Sequence, residues 1–367
     1  MKKILIFLSI SALLIGLFFS VSKFPLKEKE DFKNNTKIKE EMTYSENKKL
    51  LFTFISKKLL TDKGIYTNYL EKNPENTLAT GHEMLSESSG IWLQILNQNK
   101  KYSEFKKFYL NMKKTFDQGE QFTYRYNPIT NESYDVNATL DDLRIIHALL
   151  SYDADTKSDY YAKEASKRFE LLKKNTQKND ILLDYYDVNF KEAAKTSSLA
   201  YYDFIVLKHY ESTKTYKKQL SLVKKGFLGK NFPLFYANYN SIKKTYSIQD
   251  LNTSEALITL LHLSQIKELP TASSQWLEHQ VLKGSLYNKY DVQGNVKDKN
   301  QSSANYALAS MIFEQIGDEK MRTKALENAL NFQVTDKNSE IYGGIGDSFT
   351  NETYSFNNLN VLLALGG

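Results

Sequence analysis

Three segments of this 367-residue chain carry carboxylates at the predicted starts of helices. They are Thr80-Gly-His-Glu-Met-Leu-Ser-Glu-Ser-Ser-Gly90, Asn137-Ala-Thr-Leu-Asp-Asp-Leu-Arg-Ile-Ile-His147 and Ser247-Ile-Gln-Asp-Leu-Asn-Thr-Ser254. They offer Glu87, Asp141 or Asp142, and Asp250. Carboxylates facing each other across a Tyr-lined groove are the equipment of glycoside hydrolysis, in which one carboxyl stays protonated and another is ionised. Glu87 carries a tension, because a helix N-terminus favours the carboxylate form. A general acid at neutral pH needs the opposite, through burial or a like-charge neighbour.

The aromatic complement fits a sugar, whose flat faces and hydroxyls suit a ring with a polar tip. Of the 25 Tyr, those read as lying on or beside the groove are Tyr124, Tyr126, Tyr185, Tyr186, Tyr201, Tyr202, Tyr236, Tyr246 and Tyr306, with Asp187 as a further rim carboxylate. Trp92 reads as a structural residue of the inner layer. Other chemistries fail on spacing. His82-Glu83 has Ser at position 86, so it is no His-Glu-x-x-His zinc motif. His147, His209, His262 and His279 lack ligand spacing and are expected at the surface or in the second layer. Gly343-Gly-Ile-Gly346 lacks the Lys-Ser/Thr of a phosphate loop, and no Gly-x-Ser-x-Gly elbow is present. No metal and no cofactor are expected.

The elements that must position these residues follow from apolar spacing of three and four. Helices are predicted near Thr43–Leu60, Glu83–Asn97, Tyr102–Phe116, Ala138–Tyr152, Tyr160–Asn175, Ser198–Tyr210, Tyr216–Phe227, Asp250–Gln265, Ser273–Leu282, Ser303–Ile316, Glu319–Phe332 and Tyr354–Leu365. Alternate helices start near 83, 138, 198, 250, 303 and 354, a repeat of about 50–60 residues. Tyr-rich connections with Asn-Pro, Asn-Ser or Gln-Gly turns read as β-hairpins. Twelve helices with alternating short and long links fit an all-α (α/α)6 toroid, six inner and six outer, better than an open solenoid. The long links would gather on one face, and the functional residues with them.

With that layout the motifs resemble family 8 of the glycoside hydrolases. Ser86-Glu87-Ser-Ser-Gly90 is similar to the family's Ser-Glu-Gly-x-Gly segment, which implies Glu87 as general acid. Ala138-Thr-Leu-Asp-Asp142 with Ile145 and Ala148-Leu-Leu150 is similar to its signature helix, and the spacing to Ile145 ranks Asp142 ahead of Asp141. Leu140 stands where that signature has its first Asp. The resemblance implies Asp250 as general base, with Thr253 where the family has an Arg. Tyr201-Tyr-Asp203 is similar to an aromatic segment of the family. An inverting, endo-acting hydrolase of a β-linked polysaccharide, such as a bacterial exopolysaccharide, is what the resemblance implies. The alternative is a non-catalytic carbohydrate-binding or polysaccharide-assembly protein on the same fold.

Composition sets the surroundings. Zero Cys excludes disulfide scaffolds, thiolate metal sites and Cys nucleophiles. A net charge of +6 in 367 residues gives no ground for a nucleic-acid partner. Lys2 and Lys3 precede the uncharged run Ile4–Ser22, the pattern of a secretory signal or an N-terminal membrane anchor. Residues 23–42 read as a polar tether and 43–367 as the toroid. The expectation is an extracytoplasmic monomer, secreted or held to the outer face of the cytoplasmic membrane, with a polysaccharide as its partner.

Overall fold

The computed structural model describes residues 33–72 and 79–366. The run Ile4–Ser22 lies outside the described residues. Among those described, no helix is long and apolar enough to cross a membrane.

Among the described residues, twelve α-helices alternate between two layers. The outer helices are α1 (Lys33–Phe54), α3 (Tyr102–Phe116), α5 (Ala162–Thr176), α7 (Thr213–Lys225), α9 (Thr271–Lys283) and α11 (Glu319–Leu330). The inner ones are α2 (Ser86–Gln98), α4 (Thr139–Thr156), α6 (Phe204–Tyr210), α8 (Thr253–Gln265), α10 (Ser303–Ile316) and α12 (Ser355–Ala364). Burial separates the layers in the way their sequences require. α3 buries one stripe, Phe105, Phe108, Tyr109, Met112 and Phe116, with lysines on its other face. α2 is buried from Ser86 through Asn97, and α8 from Thr253 through Ser264. A helix covered on all sides can sit only in an inner ring. The ring closes: α2 packs on α4, α4 on α6, α6 on α8, α8 on α10, α10 on α12, and α12 back on α2. An open solenoid would leave α2 and α12 apart.

Among the described residues, the links from outer helices to the next inner helices pass over the same end of the ring. Hairpins form there at Arg125–Asn127 with Glu132–Ser133, Tyr186–Asp187 with Glu192–Ala193, Asn238–Asn240 with Thr245–Tyr246, and Tyr287–Tyr290 with Val296–Gln301. The opposite links are short. α10 turns into α11 through Gly317, at φ +77.

Several boundaries differ from the periodic reading, each for a local reason. α1 begins at Lys33, inside the stretch read as tether, because its Lys and Glu are good helix formers even without an apolar stripe. α2 starts at Ser86 rather than Glu83, since Met84 and Leu85 pair as a strand with Tyr126 and Arg125. α8 starts at Thr253 rather than Asp250, since Leu251 and Asn252 pair with Tyr290 and Lys289 and Asn252 caps the helix. The predicted helix Ser198–Tyr210 splits into a 3-10 turn at Leu199–Tyr201 and α6. Asp203 interrupts it by accepting the Ile205 and Val206 N–H groups as an N-cap.

The Gly343–Gly346 loop is a packing device. Gly343 has φ +85, and a Cβ there would meet the Leu50 carbonyl at 2.9 Å; one on Gly344 would strike the Phe54 ring at 2.7 Å. Gly90 serves the inner ring similarly. Its missing Cβ lets α4 approach, with Arg144 Cβ at 3.0 Å and Ile145 Cγ1 at 3.5 Å from where it would stand. Gly90→Ala is expected to destabilise the protein by about 1–3 kcal/mol in chemical denaturation, because the intruding methyl pushes on α4 near its backbone. A midpoint equal to wild type would show that α4 yields freely.

Candidate active site

The chain enters α2 on rails. Arg125 forms a two-pronged, fully buried ion pair with Glu83, Nε to Oε1 at 2.8 Å and Nη2 to Oε2 at 2.6 Å. The Ser86 N–H then donates to the Tyr124 carbonyl at 3.0 Å. Leu85, the N-cap position, has no side chain to cap the helix. The next inner helix supplies the acceptor. Asp141 of α4 accepts from Ser86 Oγ at 2.9 Å and from the Glu87 N–H. It thereby satisfies one of the donors a helix start leaves open.

Glu87 projects from that first turn into the ring and is 3% exposed. Arg144, with no exposed surface, sits between it and Asp141, its Nη1 at 3.2 Å from Glu87 Oε1 and 2.7 Å from Asp141 Oδ1. Burial pushes the Glu87 carboxyl well above its ordinary range; Arg144 opposes the rise, and the Asp141 charge adds to it. The tension between helix end and general acid is thus resolved toward the protonated form. Asp141 is itself pushed up to about 6, by burial against the pull of Arg144 and Ser86. The Nε and Nη2 of Arg144 are buried with no partner among the described residues.

A second acid stands on the far wall. In a closed ring of six, α8 lies opposite α2, and Glu255 in its first turn is 8% exposed. Burial, followed by the charge of Asp184, raises its carboxyl to about 8, and its own charge is felt at Glu87. Asp184 lies in the link between α5 and α6, where it accepts from the Ser198 N–H and the Thr196 side chain. Tyr201 completes the circle: burial and then the Asp184 and Glu255 charges push its hydroxyl well above the ordinary tyrosine range. Glu255 also lines a narrow crevice with Tyr236, Leu251, Asn252 and Thr259. A cavity of about 450 Å³ beside Phe332, Gln333 and Asp347 lies away from these acids, at the end of α11.

The fold is that of solved glycosidases. The chain superposes on endoglucanase Cel10, a family 8 glycosyl hydrolase from Klebsiella pneumoniae, with a TM-score of 0.60 and 16% identity, over 86% of this chain and 98% of that one. With PssZ from Listeria monocytogenes the TM-score is 0.68 at 17% identity, over 86% and 93%. A protein described as a novel alpha-amylase from Clostridium perfringens reaches a TM-score of 0.80 and 30% identity, over 87% of this chain and 97% of that one. The chain belongs to this glycoside hydrolase group, as a divergent family 8-like member. No sequence-family model and no curated protein matches it.

Within this glycoside hydrolase fold, three of the residues singled out from sequence come together: Glu87, Asp141 and Tyr201. Tyr236 lines the crevice beside Glu255, and the residues that follow are placed elsewhere. Asp142, ranked above Asp141, turns the other way around α4, where it accepts from Asn137 Nδ2 at 2.6 Å and the Phe122 N–H at 3.4 Å. Asp250 lies exposed on the strand approach to α8, and the charges bearing most on Glu87 are those of Arg144, Asp141 and Glu255 instead. Asp187 caps its own hairpin through the Asn189 and Phe190 N–H groups. Tyr126 is buried against Phe116 and bonds Asn131. Tyr202 bonds Ser197 at 2.7 Å inside the core. Tyr246 stacks on Tyr236 and donates to the Leu222 carbonyl of α7. Tyr124 is half-buried edge-on to Tyr134, and it is its carbonyl that positions α2. Tyr306 is buried on α10 and bonds Gln301. Trp92 is core, packed on Phe52. Arg144, Glu255 and Asp184 were missed.

Two of the histidines expected at the surface or in the second layer lie deep in the inner ring. His147 donates or accepts at Nδ1 with Asp203 at 2.6 Å, and His262 is buried with its ring pushed down to about 4 by burial. Among the described residues no group of three His, Cys, Asp or Glu could hold a metal ion.

The raised acids make stability pH-dependent in a stated direction. Asp142 is pushed up to about 7 by burial. A carboxyl whose folded pKa lies above its unfolded value binds the proton more tightly when folded. The stability it brings is present in acid and is lost as pH rises from about 4 through about 7. Asp142→Asn is therefore expected to gain melting temperature relative to wild type as pH is raised from 5 to 8. A constant difference across that range in calorimetry would mean that Asp142 does not titrate there.

Proposed function

We propose that this protein hydrolyses a polysaccharide by an inverting acid/base mechanism, outside the cytoplasmic membrane. The observation that carries the reading is the pair of buried carboxyls, Glu87 and Glu255, on opposite walls of one ring. Glu87, held protonated by burial, gives its proton to the leaving oxygen. Glu255, raised to about 8 by burial and the charge of Asp184, takes a proton from the attacking water in its ionised form, so turnover is expected to rise as pH approaches 8. An inverting mechanism requires these two carboxyls to stand ~6.5–9.5 Å apart, with room for that water between base and sugar. Asp141 orients Arg144 and the start of α2, and Arg144 keeps Glu87 pointed into the ring. Tyr201 lies between the walls, where its hydroxyl meets substrate or water.

The relatives divide on linkage. Family 8 endoglucanase and xylanase neighbours support a β-linked polymer, and endo action goes with them. The 30% identical protein described as an alpha-amylase favours an α-glucan. Reducing-end release separates the two when β-glucan, xylan, chitosan, soluble starch and native exopolysaccharide are compared, and the anomer first formed tests inversion. Retention of configuration would exclude Glu255 as a water-activating base.

A further inference from the structure

The hairpins on the active face repeat one tip design. Asn127, Asp187, Asn240 and Asp347 each accept N–H groups of their own turn, at Ile129 and Thr130, Asn189 and Phe190, Ile242 and Lys243, and Phe349. Each turn then passes through one left-handed residue: Asn131 (φ 57), Lys191 (φ 55), Lys244 (φ 57) and Asn351 (φ 58). The turns are built by their Asx residues and left-handed positions, so nothing in the fold requires an apolar side chain at the tip. Yet each tip carries one in the open: Ile129, Phe190, Ile242 and Phe349, the last 97% exposed.

Position in the ring singles out the two aromatic tips. The hairpin of Phe190 leads into α6, and the turn of Phe349 leads into α12. With six inner helices closed in order, α6 and α12 are diametrically opposite. A line from one ring to the other crosses, at the axis, the line from α2, which carries Glu87, to α8, which carries Glu255. Six helices at 8–10 Å spacing make that line about 16–20 Å long, the span of several sugars.

We propose that Phe190 and Phe349 are the two outer sugar-stacking contacts of an extended polysaccharide lying across the active face. This rests on the hydrolase reading and deepens it: the substrate is a long polymer held at both ends of the cleft. An exposed phenyl ring has little to gain from water and much from the apolar face of a pyranose. Between them the polymer passes over the carboxyl pair, so binding at the tips registers the chain rather than altering the chemistry.

The test compares wild type, Phe190→Ala, Phe349→Ala, the double variant, Phe190→Leu/Phe349→Leu, Phe190→Trp/Phe349→Trp and the control Ile242→Ala. Each is run on the polymer that wild type cleaves, on a short chromogenic oligosaccharide, and by retardation in gels containing each panel polymer. Each single Ala change is expected to raise KM for polymer about 3–10-fold with kcat unchanged, and the double variant more. The oligosaccharide kcat/KM should not move, Trp should restore polymer KM, and Leu and Ile242→Ala should behave as lost ring and as wild type. Polymer KM and gel retardation unchanged in the double variant would overturn the tip contacts while leaving hydrolysis standing. Full rescue by Leu would also overturn them, marking an apolar docking surface for a protein or membrane instead. Wild type that neither cleaves nor is retarded by any polymer would overturn the hydrolase reading and the tips together.

Discussion

Glu87→Gln is expected to lower polysaccharide cleavage by about 10²–10⁴-fold, the loss that follows removal of a positioned general acid. Gln keeps the shape and can still accept from Arg144 Nη1, which lies 3.2 Å from the Glu87 carboxyl. Folding should survive, because Gln is isosteric with Glu and burial already pushes the Glu87 carboxyl toward its neutral form. The loss should fall on kcat, with polymer binding retained in gel retardation. Substrates with an activated aryl leaving group should be partly spared, since they need less protonation. Equal loss on activated and natural substrates would indicate that Glu87 acts elsewhere than on the leaving oxygen.

Glu255→Gln is expected to reduce turnover by a comparable factor, on good and poor leaving groups alike, because water must be activated in both cases. Asp250→Asn should leave kcat within a few-fold of wild type. The contrast follows from placement. Glu255 is buried in the first turn of α8, the helix opposite α2 in the ring, whereas Asp250 is exposed before the strand that leads into that helix. If Asp250→Asn abolished cleavage and Glu255→Gln did not, the base would sit at the mouth of the cleft and Glu255 would be a buried support. Azide rescue of Glu255→Ala with formation of a glycosyl azide would locate the attacking position directly.

The architecture was legible because the two helix layers obey different patterns. Outer helices such as α3 carry one apolar stripe, inner helices such as α8 are apolar nearly all round, and the two alternate on a regular period. Glu87 drew attention because Ser86-Glu87-Ser-Ser-Gly90 stands at a predicted helix start. Asp141 and Asp142 could not be ranked by spacing. Neighbours on a helix point about 100° apart, and which one faces the axis depends on how α4 is rotated in the ring. Arg144 and Glu255 were missed although a signal existed. In a helix buried on every side there is no solvent face for a charge, so a charge there must point at a partner or a site. Asp250 drew attention because it preceded the apolar run. The strand at Leu251–Asn252 took the helix start past it. Asp184 lay in a link with no motif, and only the folding of that link against Ser198 brings it to the rim.

One measurement bears most directly on the claim that the opposed carboxyls make a glycoside hydrolase. Purified wild type and Glu87→Gln are incubated with the panel of β-glucan, xylan, chitosan, soluble starch and native exopolysaccharide, and new reducing ends are counted over time. The expected result is steady release from at least one polymer by wild type, cut by about 10²–10⁴-fold in the variant at unchanged melting temperature. Release by Glu87→Gln equal to wild type, or no release by folded wild type from any polymer, would contradict it.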